Sequence, residues 1–92
     1  MGAMEKSTFT PEYALLRNEL LVARNSAGLT QRELAKRLRV SHSWVAKVES
    51  GERRLDFVEL CWLLSACSVK PLSFFKRTLI SFAGVKRRRA ED

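Results

Sequence analysis

The stretch of sequence that decides the fold runs from residue 30 to residue 51 and reads TQRELAKRLRVSHSWVAKVESG. Its first four residues form a Thr-x-x-Glu capping box, which begins a helix by satisfying exposed backbone N–H groups. Ser41 is a residue type that begins a second helix, and Gly51 is a type that ends one. Only the short turn Arg39-Val40 separates the two, so the stretch predicts a helix-turn-helix.

Apolar residues at helical spacing predict three further helices around this unit. The first begins at Thr10, which is a helix-capping residue type, and ends at Gly28. The fourth begins at Asp56, and the fifth begins near Pro71 and ends near Gly84. We therefore expect an all-α domain of five helices between Thr10 and Gly84, with the helix-turn-helix formed by helices 2 and 3.

Both ends of the chain differ from this domain in composition. Residues 1–9 are expected to be a flexible N-terminus whose first four residues, Met-Gly-Ala-Met, resemble a scar left by an expression vector. Residues 85–92 are expected to be a basic flexible tail, because they contain four consecutive basic residues and few apolar ones. This tail either adds phosphate contacts or is a solvated segment, since Glu91 and Asp92 offset half of its charge.

The composition is that of a small globular protein with an excess of positive charge. The 92 residues include 17 Lys and Arg against 10 Asp and Glu, which gives a net charge of +7 and a pI of about 10.1. Charge alone leaves two interpretations open: a nucleic-acid partner, or a solvated basic surface. The chain has no apolar run of the about 18 residues that a membrane span needs and no secretion signal, so we expect a cytoplasmic protein without membrane contact.

Few residues in the chain are suited to metal or catalytic chemistry. Cys61 and Cys67 lie six positions apart in one predicted helix, about 120° apart around its axis, so they cannot bond to each other there. We interpret them as buried, reduced thiols, and with His42 as the single histidine we expect no metal site and no cofactor. The chain contains neither a Gly-rich phosphate loop nor a Cys–His arrangement, so an enzyme is not expected.

Three segments together make the chain resemble the lambda/434 repressor family, also called the Xre type. They are Gly28-Leu29-Thr30-Gln31-Arg32-Glu33-Leu34-Ala35, Val40-Ser41 and Val45-Ala46-Lys47-Val48-Glu49-Ser50-Gly51. The similarity runs from about Leu16 to Phe75, roughly two-thirds of the chain. It implies a lambda-repressor-like DNA-binding fold whose third helix contacts base edges in the major groove.

The resemblance also implies a role for particular residues. His42, Ser43 and Lys47 lie where the family places side chains that contact DNA bases. The expected phosphate contacts are Gln31, Trp44, Ser50, Arg53 and Arg54. Arg24 and Glu49 match a structural ion pair that ties the first helix to the third.

Some of these roles have alternatives. His42 could be a solvated surface histidine, and Lys47 could contact a phosphate instead of a base. Trp44 is interpreted as a packing or backbone-contacting aromatic and not as a wedge between bases. Arg39 departs from the family because a glycine is common at its position in the turn, and His42 replaces a frequent glutamine. The preferred DNA sequence therefore cannot be copied from a relative.

Apolar residues on the last two helices predict a partner surface. Proteins of this kind usually bind DNA as two-fold dimers on half-sites about one helical turn apart. The candidate dimer or partner surface consists of Val58, Trp62, Leu79 and Phe82, which exceed what so small a core needs. The alternative is that the fifth helix folds over Trp62 through Leu79 or Phe82.

These observations predict a sequence-specific transcriptional regulator of the repressor or controller type. It would bind a palindromic operator in double-stranded DNA as a homodimer, in a bacterial cytoplasm or encoded by a phage. The alternative is an antitoxin that binds its own promoter through the same domain and neutralises a toxin through the surface around Trp62. The chain is also too short to add a sensor domain, so no small-molecule effector is expected.

Overall fold

The computed structural model describes residues 7–85, so the predicted scar and the basic residues 86–92 of the predicted tail lie outside the described residues. Between residues 7 and 85 the chain forms five α-helices and no β-strand, which confirms the predicted all-α fold. The helices are α1 (Pro11–Ser26), α2 (Gln31–Leu38), α3 (His42–Ser50), α4 (Phe57–Ala66) and α5 (Pro71–Ala83). One turn of 3-10 helix, Ser7–Phe9, precedes α1 within the predicted flexible N-terminus.

Four of the five helices begin at side-chain caps that the sequence predicts. Thr10, Thr30, Ser41 and Asp56 each accept a hydrogen bond from the backbone N–H three residues further on, at 2.7–3.2 Å. In the capping box at α2, the Glu33 carboxylate accepts in return from the Thr30 backbone N–H at 2.8 Å. This backbone hydrogen bond, with that of the Thr30 hydroxyl, lowers the pKa of the Glu33 carboxyl. The starts of these helices are therefore encoded locally.

Three helices end in the same kind of turn. A left-handed residue lies within two positions of the last helical residue, with φ of +72° at Gly28, +59° at Arg39 and +58° at Ser68. The next backbone N–H in each case donates to a carbonyl five residues back, at 3.2, 3.0 and 2.9 Å respectively. This is the Schellman arrangement, in which glycine is the usual left-handed residue. Two of the three turns thus place a side chain where glycine would carry less strain.

The core forms between the inner faces of all five helices. It contains Leu20 and Ala23 of α1, Leu34 and Ala35 of α2, Val45 and Val48 of α3, Leu63 and Leu64 of α4, and Phe74 of α5. In α3 the two inward side chains, Val45 and Val48, are 0% and 1% exposed. Since they point into the core, the opposite side of this nine-residue helix is directed at solvent.

The apolar surface on α4 stays open, and the alternative that α5 covers Trp62 is wrong. Trp62 is 62% exposed and lines a shallow groove with Arg37 and Leu38 of α2. Helix α5 packs against α1 and against the other side of α4, where Phe75 contacts Phe57. It therefore leaves the groove between α4 and α2 open. No described helix is by itself long and apolar enough to cross a membrane, and α4 and α5 meet such a test only as a pair bent by 115°.

Replacing Arg39 with glycine is expected to stabilise the protein. A non-glycine residue in the left-handed region costs about 1–2 kcal/mol, and part of the gain is lost because glycine makes the unfolded chain more flexible. We expect Arg39→Gly to raise the free energy of unfolding by about 0.5–1 kcal/mol, measured by urea denaturation.

Arg39→Ala is the matched control, since it removes the same charge and side chain but keeps the left-handed strain. It should leave the free energy of unfolding unchanged or lower it slightly. Equal stabilisation by alanine and glycine would assign the effect to the lost charge and contradict the role of φ.

Candidate nucleic-acid interface

The outer side of α3 presents polar side chains that have no partner within residues 7–85. Ser43 and Lys47 are exposed. Within residues 7–85 neither the Ser43 hydroxyl nor the Lys47 ammonium makes a hydrogen bond or ion pair. His42, the first residue of α3, is half-buried beside them. The three predicted base-contacting residues therefore lie on the helix whose other side is buried.

A network of four side chains joins α1, α2 and α3 beneath this surface, and we call it the Arg24–His42 network. Arg24 Nε and Nη2 lie 2.6 and 3.0 Å from the two carboxylate oxygens of Glu49. Gln31 Nε2 donates to Glu49 Oε1 at 2.8 Å. Gln31 Oε1 lies 3.0 Å from His42 Nε2. The predicted ion pair of Arg24 and Glu49 is thus extended by two further residues to the start of α3.

The Arg24–Glu49 pair is largely removed from solvent, with side chains 12% and 10% exposed. Arg24 also donates through Nη1 to the Leu29 carbonyl at 2.9 Å, so all three of its nitrogens have acceptors. A buried pair of this kind contributes to stability only while both charges are matched, because either charge alone would be left without solvent. The pair therefore holds α3 against α1.

Both the oxygen and the nitrogen of the Gln31 side-chain amide form hydrogen bonds within the protein. Its oxygen faces His42, and one of its two Nε2 hydrogens is used by Glu49. The second hydrogen is the remaining donor for a phosphate. A phosphate contact is expected for Gln31, and its hydrogen bonds to Glu49 and His42 also brace α3 against α2.

Arg53, in the loop after α3, lies against Trp44 in the first turn of that helix. The Arg53 guanidinium carbon is 4.9 Å from the Trp44 ring centroid, within the range of a cation–π contact. Arg53 also makes two hydrogen bonds to the Glu59 carboxylate, at 3.1 and 3.0 Å. These bonds, with the Asp56 backbone N–H, lower the pKa of the Glu59 carboxyl. The Arg53 charge is therefore already paired with a carboxylate of α4.

Ser50 and Arg54 differ in how available they are. The Ser50 hydroxyl lies 3.1 Å from the Lys47 carbonyl and 3.0 Å from the Glu52 carboxylate, so its hydrogen is shared within the protein. Arg54 is exposed, and its guanidinium has no acceptor among the described residues. Of the five predicted phosphate contacts, Arg54 is the most open to an external anion. Glu52, which accepts the hydrogen bond of the Ser50 hydroxyl, lies outside the predicted site residues.

The two cysteines are free thiols. Cys67 is buried, and this burial raises the pKa of its thiol, whereas Cys61 is partly exposed. No three His, Cys, Asp or Glu side chains of residues 7–85 gather closely enough to hold a metal ion.

Replacing Glu49 with glutamine is expected to destabilise the protein strongly. The substitution preserves shape but leaves the Arg24 charge unmatched in a site with little solvent. We expect a loss of about 2–4 kcal/mol in the free energy of unfolding, measured by urea denaturation.

Glu19→Gln is the matched control. Glu19 pairs with Arg77 at 3.1 Å, and the Arg77 side chain is 60% exposed. Water screens this pair, so the loss should stay below about 1 kcal/mol. Equal losses at the two sites would contradict the buried character of the Arg24–Glu49 pair.

Comparison with known proteins places this geometry in a family. A model of the helix-turn-helix domain matches residues 15–72. An XRE-family-like protein from Pseudomonas syringae pv. tomato str. DC3000 is 37% identical, with 76% of this chain and 85% of that chain covered and a TM-score of 0.73. No curated protein matches the chain.

Two solved structures of the restriction–modification controller protein C.Esp1396I share the fold at lower identity. The wild-type protein in a triclinic form is 17% identical and has a TM-score of 0.74, over 84% of this chain and 100% of that chain. The tetramer of that protein in complex with its natural 35 base-pair operator is 18% identical and has a TM-score of 0.71, over 80% of this chain and 97% of that chain. With the sequence match over residues 15–72 and the five-helix fold, the chain belongs to the Xre-type helix-turn-helix domain family.

Proposed function

We propose that this chain is a sequence-specific transcription regulator that binds double-stranded DNA, with α3 as the helix that enters the major groove. The observation that carries the proposal is the unused polar surface of α3. Val45 and Val48 bury one side of the helix, while the side chains of Ser43 and Lys47 on the other side have no partner within residues 7–85. An α-helix with its side chains is about 10–12 Å wide, and the major groove is about 12 Å wide.

The net charge of the chain and its similarity to proteins of known structure support this proposal. The net charge of +7 favours association with a polyanion. Among proteins of the same fold, the controller protein C.Esp1396I has been solved in complex with its operator. A regulator of the repressor or controller type in the cytoplasm needs no cofactor and no catalytic group, and the proposal includes neither.

We assign a role to each predicted site residue and compare how much of its charge is available for a contact with DNA. We assign base contacts to His42, Ser43 and Lys47. Phosphate contacts are assigned to Gln31, Trp44, Ser50, Arg53 and Arg54. Among these, Arg54 would contribute its whole charge, whereas Arg53 would share its charge with Glu59. Phosphate contacts would set the position of the protein on DNA, and base contacts would set the sequence preference.

Selection of bound sequences from a random DNA pool tests the function. A palindromic consensus with half-sites about one helical turn apart would support operator binding by a dimer. Retention of DNA with no enriched sequence would contradict sequence-specific regulation.

Replacing Lys47 with alanine separates base reading from phosphate contact. If the ammonium of Lys47 donates to a guanine edge, binding to the selected operator should weaken by about 1–3 kcal/mol, and preference at one base pair should relax. The measurement is fluorescence anisotropy on the operator and on its single-base variants at fixed salt.

Lys70→Ala is the control for loss of one positive charge, since Lys70 is exposed at the start of α5, away from α3. This variant should weaken binding to all DNA sequences slightly and equally. The same uniform weakening in Lys47→Ala would assign Lys47 to a phosphate and contradict its role as a base reader.

We further propose that the protein forms a homodimer through the outer face of α5. Leu79 is 61% exposed there, with Leu72 and Ile80 at 81% and 67%. Phe82, near the end of the same helix, is half-buried. Leu72 and Ile80 lie outside the predicted partner surface, although their spacing from Leu79 could have indicated them. So much exposed apolar surface on one helix favours burial against a second copy.

Leu79→Glu is expected to convert the dimer into a monomer, because burying a carboxylate in an apolar interface is unfavourable. Sedimentation equilibrium should give twice the chain mass for the wild type and the single-chain mass for the variant. Val22→Glu, at a 44% exposed apolar residue of α1, is the control and should remain a dimer. A wild-type protein of single-chain mass would contradict the proposed interface.

The open surface on α4 favours a second candidate function. Val58 and Trp62 are 51% and 62% exposed, and the groove beside Trp62 could receive a toxin if the protein is an antitoxin. Co-expression with the product of the neighbouring gene tests this function. A stable complex that Trp62→Ala disrupts would favour an antitoxin, and separate elution of the two proteins would contradict it.

A further inference from the structure

The Arg24–His42 network has a fixed direction of hydrogen bonding. A carboxylate can only accept hydrogen bonds, so Glu49 must receive them from both Arg24 and Gln31. The Gln31 nitrogen is therefore the end of the amide that faces Glu49. Turning this amide around would bring its oxygen against the carboxylate, where two acceptors repel each other.

This direction determines which nitrogen of His42 carries hydrogen. With the Gln31 nitrogen on Glu49, the Gln31 oxygen faces His42 Nε2 at 3.0 Å. An amide oxygen can only accept, so Nε2 must donate. A neutral imidazole has one N–H group, so Nδ1 is left with a lone pair and no hydrogen.

The Nδ1 atom of His42 is open to an external group. It makes no hydrogen bond within residues 7–85. It is also not buried, since the buried and unpartnered side-chain polar atoms of that part of the chain are Arg17 Nε and Thr78 Oγ1. The first residue of α3 thus offers solvent a hydrogen-bond acceptor.

We propose that Arg24, Glu49 and Gln31 set the specificity of His42 by holding it in the Nε2–H form. His42 then contacts DNA only as an acceptor and selects an amino group on a base edge, which is N6 of adenine or N4 of cytosine. It rejects the N7 and O6 acceptors of guanine, whereas Lys47, which can only donate, favours them. Gln31 and Glu49 are positioning residues, and the base-reading step rests on the proposed DNA-binding function.

The tautomer is measured on the free protein by nitrogen-15 NMR of the imidazole. His42 is the single histidine of the chain, so its two nitrogens are assigned without ambiguity. At about pH 8, where imidazole is ordinarily neutral, we expect an unprotonated Nδ1 and an Nε2-bound proton that exchanges slowly with water. A proton on Nδ1, or a mixture of the two forms, would overturn the proposal.

Gln31→Leu tests whether the network causes this state. Loss of the acceptor should make the Nε2-bound proton exchange at least about tenfold faster, as expected for a hydrogen bond worth about 1.4 kcal/mol. Arg32→Leu is the matched control, because Arg32 is the exposed neighbour of Gln31 and makes no hydrogen bond to His42. Slow exchange in Gln31→Leu, or equally fast exchange in both variants, would overturn the role of Gln31.

The base-reading step is tested on the operator chosen from the random pool. The base pair that His42 contacts is the one whose preference relaxes when the selection is repeated with His42→Ala. Removing the amino group of the adenine or cytosine at that pair should weaken wild-type binding about three- to tenfold, as for one neutral hydrogen bond. A 7-deaza purine, which lacks only the N7 acceptor, should leave the affinity unchanged, and His42→Ala should respond to neither change.

The outcomes separate this proposal from the proposed function. If no sequence is enriched, both DNA reading by His42 and the regulator function are wrong, while the tautomer measured in the free protein still stands. If a sequence is enriched but binding responds to the 7-deaza purine and not to loss of the amino group, the acceptor role of His42 alone is wrong.

Discussion

Glu49 is the acceptor on which three helices converge. It belongs to α3, and its carboxylate receives hydrogen bonds from Arg24 of α1 and Gln31 of α2. The charge of the Glu49 carboxylate is compensated by the Arg24 guanidinium, which is itself largely buried. Removing either side chain would leave the other charge unpaired in a poorly solvated site. The relative placement of the first three helices depends on this contact as well as on the apolar core beneath it.

Contacts with α1 and α2 hold both ends of α3. At the start of the helix, Gln31 forms a hydrogen bond with His42 and so restrains it. At its end, Arg17 donates to the Glu49 carbonyl at 3.4 Å and lies over Gly51, where a Cβ atom would come within 3.1 Å of the Arg17 Nε. A helix of nine residues has little stability of its own, and these contacts with α1 and α2 restrain it. A rigid α3 suits the proposed reading of DNA, because side chains held in one geometry lose less entropy on binding.

The surface is divided between two kinds of chemistry. The outer side of α3 and the loop after it carry Ser43, Lys47 and Arg54, whose polar side chains have no partner among the described residues. The outer sides of α4 and α5 carry exposed apolar residues such as Trp62 and Leu79. The proposed DNA-binding surface and the proposed protein-binding surfaces therefore lie on different helices.

The sequence by itself determined where four of the helices begin and which family the chain belongs to. Side-chain caps and capping boxes act over three residues, so their residue types are sufficient to predict them, whereas two of the left-handed turns that end helices carry Arg39 and Ser68 instead of glycine. The tertiary structure alone decided the state of the side chains at the surface. The direction of hydrogen bonding at His42 depends on Glu49, seven residues away and joined to it through Gln31 of another helix. The exposure of Trp62 depends on the side of α4 against which α5 packs. Both are set by the angles between helices, which arise from the packing of residues distant in the chain.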